Sequence, residues 1–156
     1  MNNWTYNPKG TFPTGAGKAI IKLTDIPDHE SIVGFCYKIT GPDGRIYIGR
    51  KALQHTTRVR ISATEKKKTK TKNRYKEVTK DSGWRDYWGS CKELKADIQR
   101  LGEDQFTREI LEFTCSPKKL GYLELKYQIL YKVLEIDSYN GNILGRFFQK
   151  DINQCL

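Results

Sequence analysis

Alternation of apolar and polar positions first becomes regular at Val33. Val33, Phe35, Tyr37 and Ile39 fall on one side of an extended segment, and Arg45-Ile46-Tyr47-Ile48-Gly49 resumes the pattern after Gly41-Pro42-Asp43-Gly44. A period of two predicts strands, and the intervening residues supply a turn: proline fixes φ and Gly44 can take φ > 0. Residues 33–49 are therefore expected to form a β-hairpin. Further along, Leu94, Ile98 and Leu101 recur at helical spacing between Ser90, an expected N-cap, and Gly102, an expected stop. Phe106 to Phe113 reads as a third strand, with Thr107, Glu109, Leu111 and Phe113 on one side and Phe106 and Ile110 on the other. Ser116-Pro117 then opens a helix to about Leu134, whose apolar stripe is Leu120, Leu123, Tyr127, Leu130 and Leu134. The order β-β-α-β-α predicts an α+β fold, a small, largely antiparallel three-stranded sheet flanked by helices.

Two segments lack such patterning. Residues 1–32 are rich in Gly, Pro and polar side chains, with one short apolar patch, Ala19-Ile20-Ile21, and are expected to be an extended arm. Within it, GTFPTGAGKAI brings to mind a phosphate-binding P-loop, but Phe12 stands where the first glycine belongs and Ala19 where a hydroxyl should hold magnesium. The second segment, RVRISATEKKKTKTKNRYKEVTK over residues 58–80, has almost no large apolar residue and is expected to be a mobile loop. Between it and the first helix lies WRDYW (Trp84 to Trp88), too short for an ordinary helix.

The chain has 156 residues, room for one domain of 33–156 beyond the arm. Lys+Arg number 28 against Asp+Glu 18, a net charge of +10 that favours a polyanionic partner. Much of the excess lies in the insert, where Lys66, Lys67, Lys68, Lys70 and Lys72 are expected to track a phosphate backbone. Cys36, Cys91, Cys115 and Cys155 form no C-x-x-C pair and only His29 and His55 accompany them, so zinc is not expected and four free thiols are. No apolar run approaches the roughly 20 residues of a membrane span, and the N-terminus lacks the order of a secretory signal; a cytoplasmic protein is expected.

GFCYKITGPDGRIYIG resembles the paired signature of the GIY-YIG nucleases. Phe35-Cys36-Tyr37 stands for the first triplet, departing at its first two positions, and Tyr47-Ile48-Gly49 matches the second, with nine residues between the tyrosines. The chain is similar to phage-type members in which YIG-R-K is followed by a lysine-rich insert and a W-x-D-Y-W-G-S segment, here Trp84 to Ser90. The resemblance implies a metal-dependent DNA endonuclease, in the host-cell cytoplasm if phage-encoded. It also implies that Glu124 on the last helix binds Mg²⁺ or Mn²⁺, that an arginine follows the second triplet, and that Asn140 helps to shape the site.

The residues allow this chemistry. A phenol ionises near pH 10, but neighbouring cations or a metal can lower that value enough for Tyr37 or Tyr47 to help deprotonate water. Arg50 and Lys51, expected just beyond the second strand, could stabilise a phenolate or a pentacovalent phosphate. The family's arginine could be Arg58 or Arg85; Arg85 is favoured because its aromatic surround, which includes Tyr87, can exclude water. Glu124 borders the apolar stripe, where a carboxylate is costly without a cation.

Two other readings stay open. Glu93-Leu94-Lys95 and Glu124-Leu125-Lys126 spell the E-x-K of PD-(D/E)xK nucleases, although both lie on expected helices, where i and i+2 diverge. A nucleic-acid-binding protein without catalysis would need only the basic insert and aromatics such as Trp84, Tyr87 and Trp88.

Overall fold

The structure, a computed structural model, describes residues 2–8 and 17–152; the rejected P-loop match and Cys155 fall largely or wholly outside them. At its centre is the expected hairpin, β3 (Gly34–Thr40) and β4 (Ile46–Ala52), paired antiparallel from Gly34↔Ala52 to Thr40↔Ile46. The turn closes through Gly41 N–H to the Arg45 carbonyl at 2.9 Å, with Gly44 at φ 84°. β7 (Thr107–Thr114) lies antiparallel on the other side of β3.

The sheet is larger than expected. The N-terminal segment adds β1 (Trp4–Tyr6) and β2 (Lys18–Ile20), giving the order β2-β1-β7-β3-β4, and β1 runs parallel to β7. The arm is thus part of a mixed five-stranded sheet, because Trp4 and Ile20 bury their side chains almost completely in the core. Burial of one large aromatic side chain contributes roughly 1.5–3 kcal/mol, enough to anchor a three-residue strand.

Both faces of the sheet are covered. Phe35, Tyr37, Ile39 and Ile110 join Trp4, Trp84, Phe106 and the helix α2 (Lys92–Leu101) through Leu94 and Ile98 on one face. Cys36 and Ile48 meet Leu123 of α3 (Pro117–Leu130) on the other. A bulge leaves Leu111 unpaired, since Cys36 faces Glu112 while Tyr37 faces Ile110. The side-chain phase therefore slips, and Phe113 packs with the Ile110 cluster while Leu111 joins the α3 side, contrary to simple alternation.

Helix ends follow local chemistry. Ser116 Oγ accepts from Lys119 N–H at 3.2 Å and Pro117 occupies the first turn of α3. The helix stops at Leu130, earlier than expected: Lys132 takes φ 53°, Leu130 is 65 % exposed, and Leu134 is buried from the following turns instead. Cys91, one residue after the expected Ser90, caps α2, and Gly102 at φ 93° ends it.

The basic insert is not a loop. β5 (Gln54–Arg60) and β6 (Tyr75–Asp81) form a separate two-stranded antiparallel ribbon, joined through α1 (Ala63–Thr69). Its strands carry Thr56, Thr57, Val59, Tyr75, Val78 and Thr79, types that suit a pleated backbone even where little is buried. Ser62 caps α1 and Ile61 N–H donates to the Arg74 carbonyl at 3.0 Å. Two short strands, β8 (Asn142–Ile143) and β9 (Phe147–Phe148), and α4 (Gln149–Ile152) complete the described chain. Among the described residues no helix is long and apolar enough to cross a membrane.

Candidate active site at the sheet edge

β4 is the last strand of the sheet, so its outer backbone groups need partners from elsewhere. The Ile46 carbonyl accepts from Tyr139 N–H at 2.9 Å. Asn140, buried, uses both ends of its amide: Ile48 N–H donates to its Oδ1 at 2.8 Å and its Nδ2 donates to the Ile48 carbonyl at 2.8 Å. Asn140 therefore fixes the residue between Tyr47 and Gly49. The segment that delivers it is held by Arg45, whose guanidinium lies 4.1 Å over the Tyr139 ring and 3.2 Å from Asp137.

One face of this edge is phenolic. Tyr37 and Tyr47 have ring centroids 6.2 Å apart, and Tyr87 meets Tyr37 edge-on at 6.1 Å. Gly49, opposite Tyr37 in the ladder, makes room for the phenol: a Cβ there would sit 2.5 Å from the Tyr37 hydroxyl. Gly89 does the same for Tyr47, with a would-be Cβ 2.8 Å from its ring, and at φ 81° it also favours glycine on backbone grounds. The Tyr47 hydroxyl lies 3.0 Å from Ser90 Oγ. Lys51 reaches the same face, its Nζ 4.0 Å from the Tyr87 ring centre and donating to the Ser82 carbonyl at 3.0 Å.

The opposite face is ionic. Arg50 and Lys51, which stay within β4 instead of leaving it, point to different sides because neighbours in a strand alternate. Arg50 Nε pairs with Glu124 Oε2 at 3.1 Å. Its guanidinium lies over Gly121, one turn earlier on α3, where a Cβ would be 2.7 Å from Arg50 Nη1. Glu124, on the other side of the edge strand, still adds to the raising of both phenols.

Burial dominates the titration of these groups. It drives the Tyr37 phenol well above its ordinary value, with Tyr47, Tyr87 and Glu124 adding to the effect. Tyr47 is also raised by burial, against the stabilising Ser90 hydrogen bonds. In the free site both phenols are neutral, the reverse of the lowering expected from nearby cations. Desolvation raises Glu124 despite the attraction of Arg50, and lowers Lys51 despite Asp81.

Of the two arginine candidates, Arg85 reaches the phenolic face only through Asp81, which acts on Lys51. Arg85 pairs with Asp81 at 3.1 Å and stacks over Trp84 at 4.6 Å, while Arg58 stands on the exposed ribbon, 5.3 Å from the Tyr75 ring. Lys66, Lys67, Lys68, Lys70 and Lys72 lie in or just beyond α1, at the far end of that ribbon. Both E-x-K triplets are helical, and Lys126 turns to Glu112 at 3.7 Å while Glu124 faces Arg50.

Three contributors escape motif reading. Gly121 is an ordinary helix glycine in sequence. Trp4 packs edge-on to Phe35 and Tyr37 at 5.2 and 5.1 Å, and donates to the Trp84 carbonyl at 2.8 Å. Arg108, in β7, lies between the Trp4 and Trp88 rings and donates to the carbonyls of Arg85 at 2.8 Å, Tyr87 at 3.1 Å and Asn2. Burial lowers its guanidinium to about 10. An arginine on the same side of its strand as Phe106 and Ile110 was the only signal available for it.

No curated protein and no solved structure matches the chain. A family model described as "Putative endonuclease segE, GIY-YIG domain" matches residues 21–152, most of the sequence and, Trp4 and Asn2 apart, the site just described. With the second triplet on the edge strand, the first beneath it and the match running through α3 and Asn140, the chain belongs to the SegE-type GIY-YIG domain family of endonucleases.

Proposed function

We propose that the chain is a metal-dependent DNA endonuclease that hydrolyses phosphodiesters at the β4 edge. The observation that carries this reading is that the edge strand carries Tyr47, with Tyr37 opposite Gly49, on one face and Arg50, paired with Glu124, on the other. A purely structural edge has no use for a half-buried carboxylate that burial destabilises.

The donor set fits a hard divalent cation. Glu124 would hold Mg²⁺ or Mn²⁺, and since no cluster of three or more His, Cys, Asp and Glu side chains occurs among the described residues, water and phosphate oxygens would complete the shell. When bound, such an ion polarises a phosphoryl oxygen and makes water more acidic.

The chain's own residues would do the rest. Tyr37, neutral and enclosed, would accept a hydrogen bond from the attacking water and orient it, the water's proton passing to bulk solvent, while Tyr87, with which its hydroxyl interacts, holds the phenol in place. Tyr47, steadied by Ser90, would offer a second hydroxyl at the same phosphate. Arg50 would give its charge to the developing pentacovalent phosphate, taking the part expected of Arg85 or Arg58. Lys51, in its ammonium form and against the burial that disfavours that charge, would lower the cost of a nearby phenolate.

Incubation with supercoiled plasmid tests the proposal. Nicked or linear product with Mg²⁺ or Mn²⁺, none with EDTA, and a loss of about 10²–10⁴-fold in Tyr37→Phe and Tyr47→Phe are expected. Tight DNA binding without cleavage under any divalent ion would instead leave a binding protein.

A further inference from the structure

The β5–β6 ribbon is a hydrogen-bonded two-stranded sheet where a mobile loop was expected, and its two faces differ. Between residues 54 and 81 lie ten of the chain's 28 Lys+Arg and three of its 18 Asp+Glu. One face carries His55, Thr57 and Val59 opposite Lys80, Val78 and Lys76, and α1 is tied to it through the Lys76–Glu65 ion pair. The other presents Thr56 opposite Thr79, Arg58 opposite Glu77 and Arg60 opposite Tyr75, all exposed. There the Thr56 and Thr79 hydroxyls lie 3.0 Å apart. Arg58 is braced on the Tyr75 ring.

We propose that this open face enters the major groove of duplex DNA and reads base edges, giving the nuclease a sequence preference beside its cut. The inference rests on the reading of the chain as a DNA-acting protein, and it adds a specificity site to the catalytic one. Geometry supports it. Two strands about 4.8 Å apart with side chains on one face fit a groove of about 12 Å, whereas the minor groove, about 6 Å wide, is too narrow.

The chemistry fits as well. Arg58 has the fork that recognises guanine O6 and N7, Glu77 can accept from cytosine N4, and the threonines can bond to either type of edge or contact a thymine methyl. The lysines of α1 lie off this face, where they would meet phosphates and carry no sequence information.

The ribbon is also aimed from the catalytic edge. β5 follows β4 with only Leu53 between them, and that residue is pinned by its N–H to the Val33 carbonyl at 2.9 Å and its carbonyl to Ser82 N–H at 3.0 Å. Arg58 is eight residues beyond Arg50. At about 3.3 Å per residue the chain spans at most ~26 Å, so the bases read should lie within about one helical turn of the scissile phosphate.

The test uses binding selection from randomised duplexes with full-length Glu124→Gln, so that cutting, if present, does not deplete the winners. A motif of a few base pairs should emerge. Arg58→Lys, which keeps the charge but loses the fork, should relax one guanine position by roughly 5- to 100-fold while leaving the salt slope unchanged. Replacing that guanine by 7-deazaguanine, which deletes only the major-groove N7, should mimic the variant. Lys67→Ala/Lys68→Ala should weaken all sequences alike. Absence of any motif, a motif untouched by Arg58→Lys and by Thr79→Ala, or equal affinity for duplex RNA, whose deep and narrow major groove excludes a ribbon, would overturn the proposal. Because every readout is binding, loss of the sequence preference is distinguishable from loss of nuclease activity, which the plasmid assay reports.

Discussion

The N-terminal segment and the basic insert both lack long apolar runs, yet one is built into the core and the other stands outside it. Trp4 and Ile20 are 1 % and 2 % exposed, whereas every residue of β5 is exposed. The difference lies in a few side chains. A single tryptophan that can reach the interior pulls a polar segment onto the sheet. Thr and Val in the strands, with Ile61 alone buried where β5 meets α1, give a ribbon that holds its own hydrogen bonds and leaves its faces to a partner. A segment's mean polarity is thus a poor guide to whether it supports the active site.

The largest effect that sharpens this contrast is expected from Trp4→Ala. It should cost about 3–5 kcal/mol in unfolding free energy, as large-to-small aromatic changes in cores do. It should also slow cleavage, since Trp4 packs on Tyr37 and its ring N–H holds the Trp84 carbonyl. Chemical denaturation together with plasmid cleavage checks both; wild-type stability would return the N-terminal segment to the status of an arm.

Arg108→Met should come next, at about 1–3 kcal/mol, because it strips the carbonyls of Arg85 and Tyr87 of a buried donor. The expected sign of a positioning role is a loss of Tyr47 and Tyr37 function without loss of DNA affinity, read as single-turnover rate at saturating DNA.

Excision of residues 55–80 with a short Gly/Ser bridge should be far milder, within about 1 kcal/mol, since the ribbon buries little and loop length costs little. DNA affinity should fall sharply. A collapse of the fold would show that the ribbon supports the sheet after all. Neutralising Lys66, Lys67, Lys68, Lys70 and Lys72 should leave stability within about 0.5 kcal/mol, and should flatten the salt dependence of binding by about 0.9 for each phosphate that is no longer neutralised.

Much of the centre was legible in the sequence for physical reasons. The β3–β4 hairpin follows from strict alternation and a Pro-Asp-Gly turn, and α3 from Ser116-Pro117. Tyr37 and Tyr47 were singled out by resemblance to the paired signature and Glu124 by its place beside the apolar stripe; the fold sets the two tyrosines on one face of the edge and Glu124 against Arg50. The rest depended on partners distant in sequence. β1 pairs with β7 a hundred residues away, and no local pattern announces that register. The bulge at Leu111 inverts the phase of Phe113 without changing composition, and Gly121 matters only because Arg50 crosses it. In the free site the Tyr37 pKa goes up for a related reason: counting nearby cations is possible from sequence, whereas the depth of burial that outweighs them is not.

Glu124→Gln tests the central claim most directly, by single-turnover cleavage of saturating DNA alongside thermal unfolding across pH. The isosteric change should reduce cleavage by about 10²-fold or more, in line with loss of a group that acts on the transition state, while DNA binding persists. Stability should move the other way. Burial raises the Glu124 pKa, so the folded protein binds more protons than the unfolded chain above the usual glutamate value, and the ionised side chain lowers stability as pH rises through that window. At neutral pH the glutamine variant should therefore unfold no earlier than wild type, and the difference should shrink as the solution is acidified below the raised value. A variant that is inactive yet at least as stable is the predicted result; one that cuts at the wild-type rate would contradict the assignment of the site.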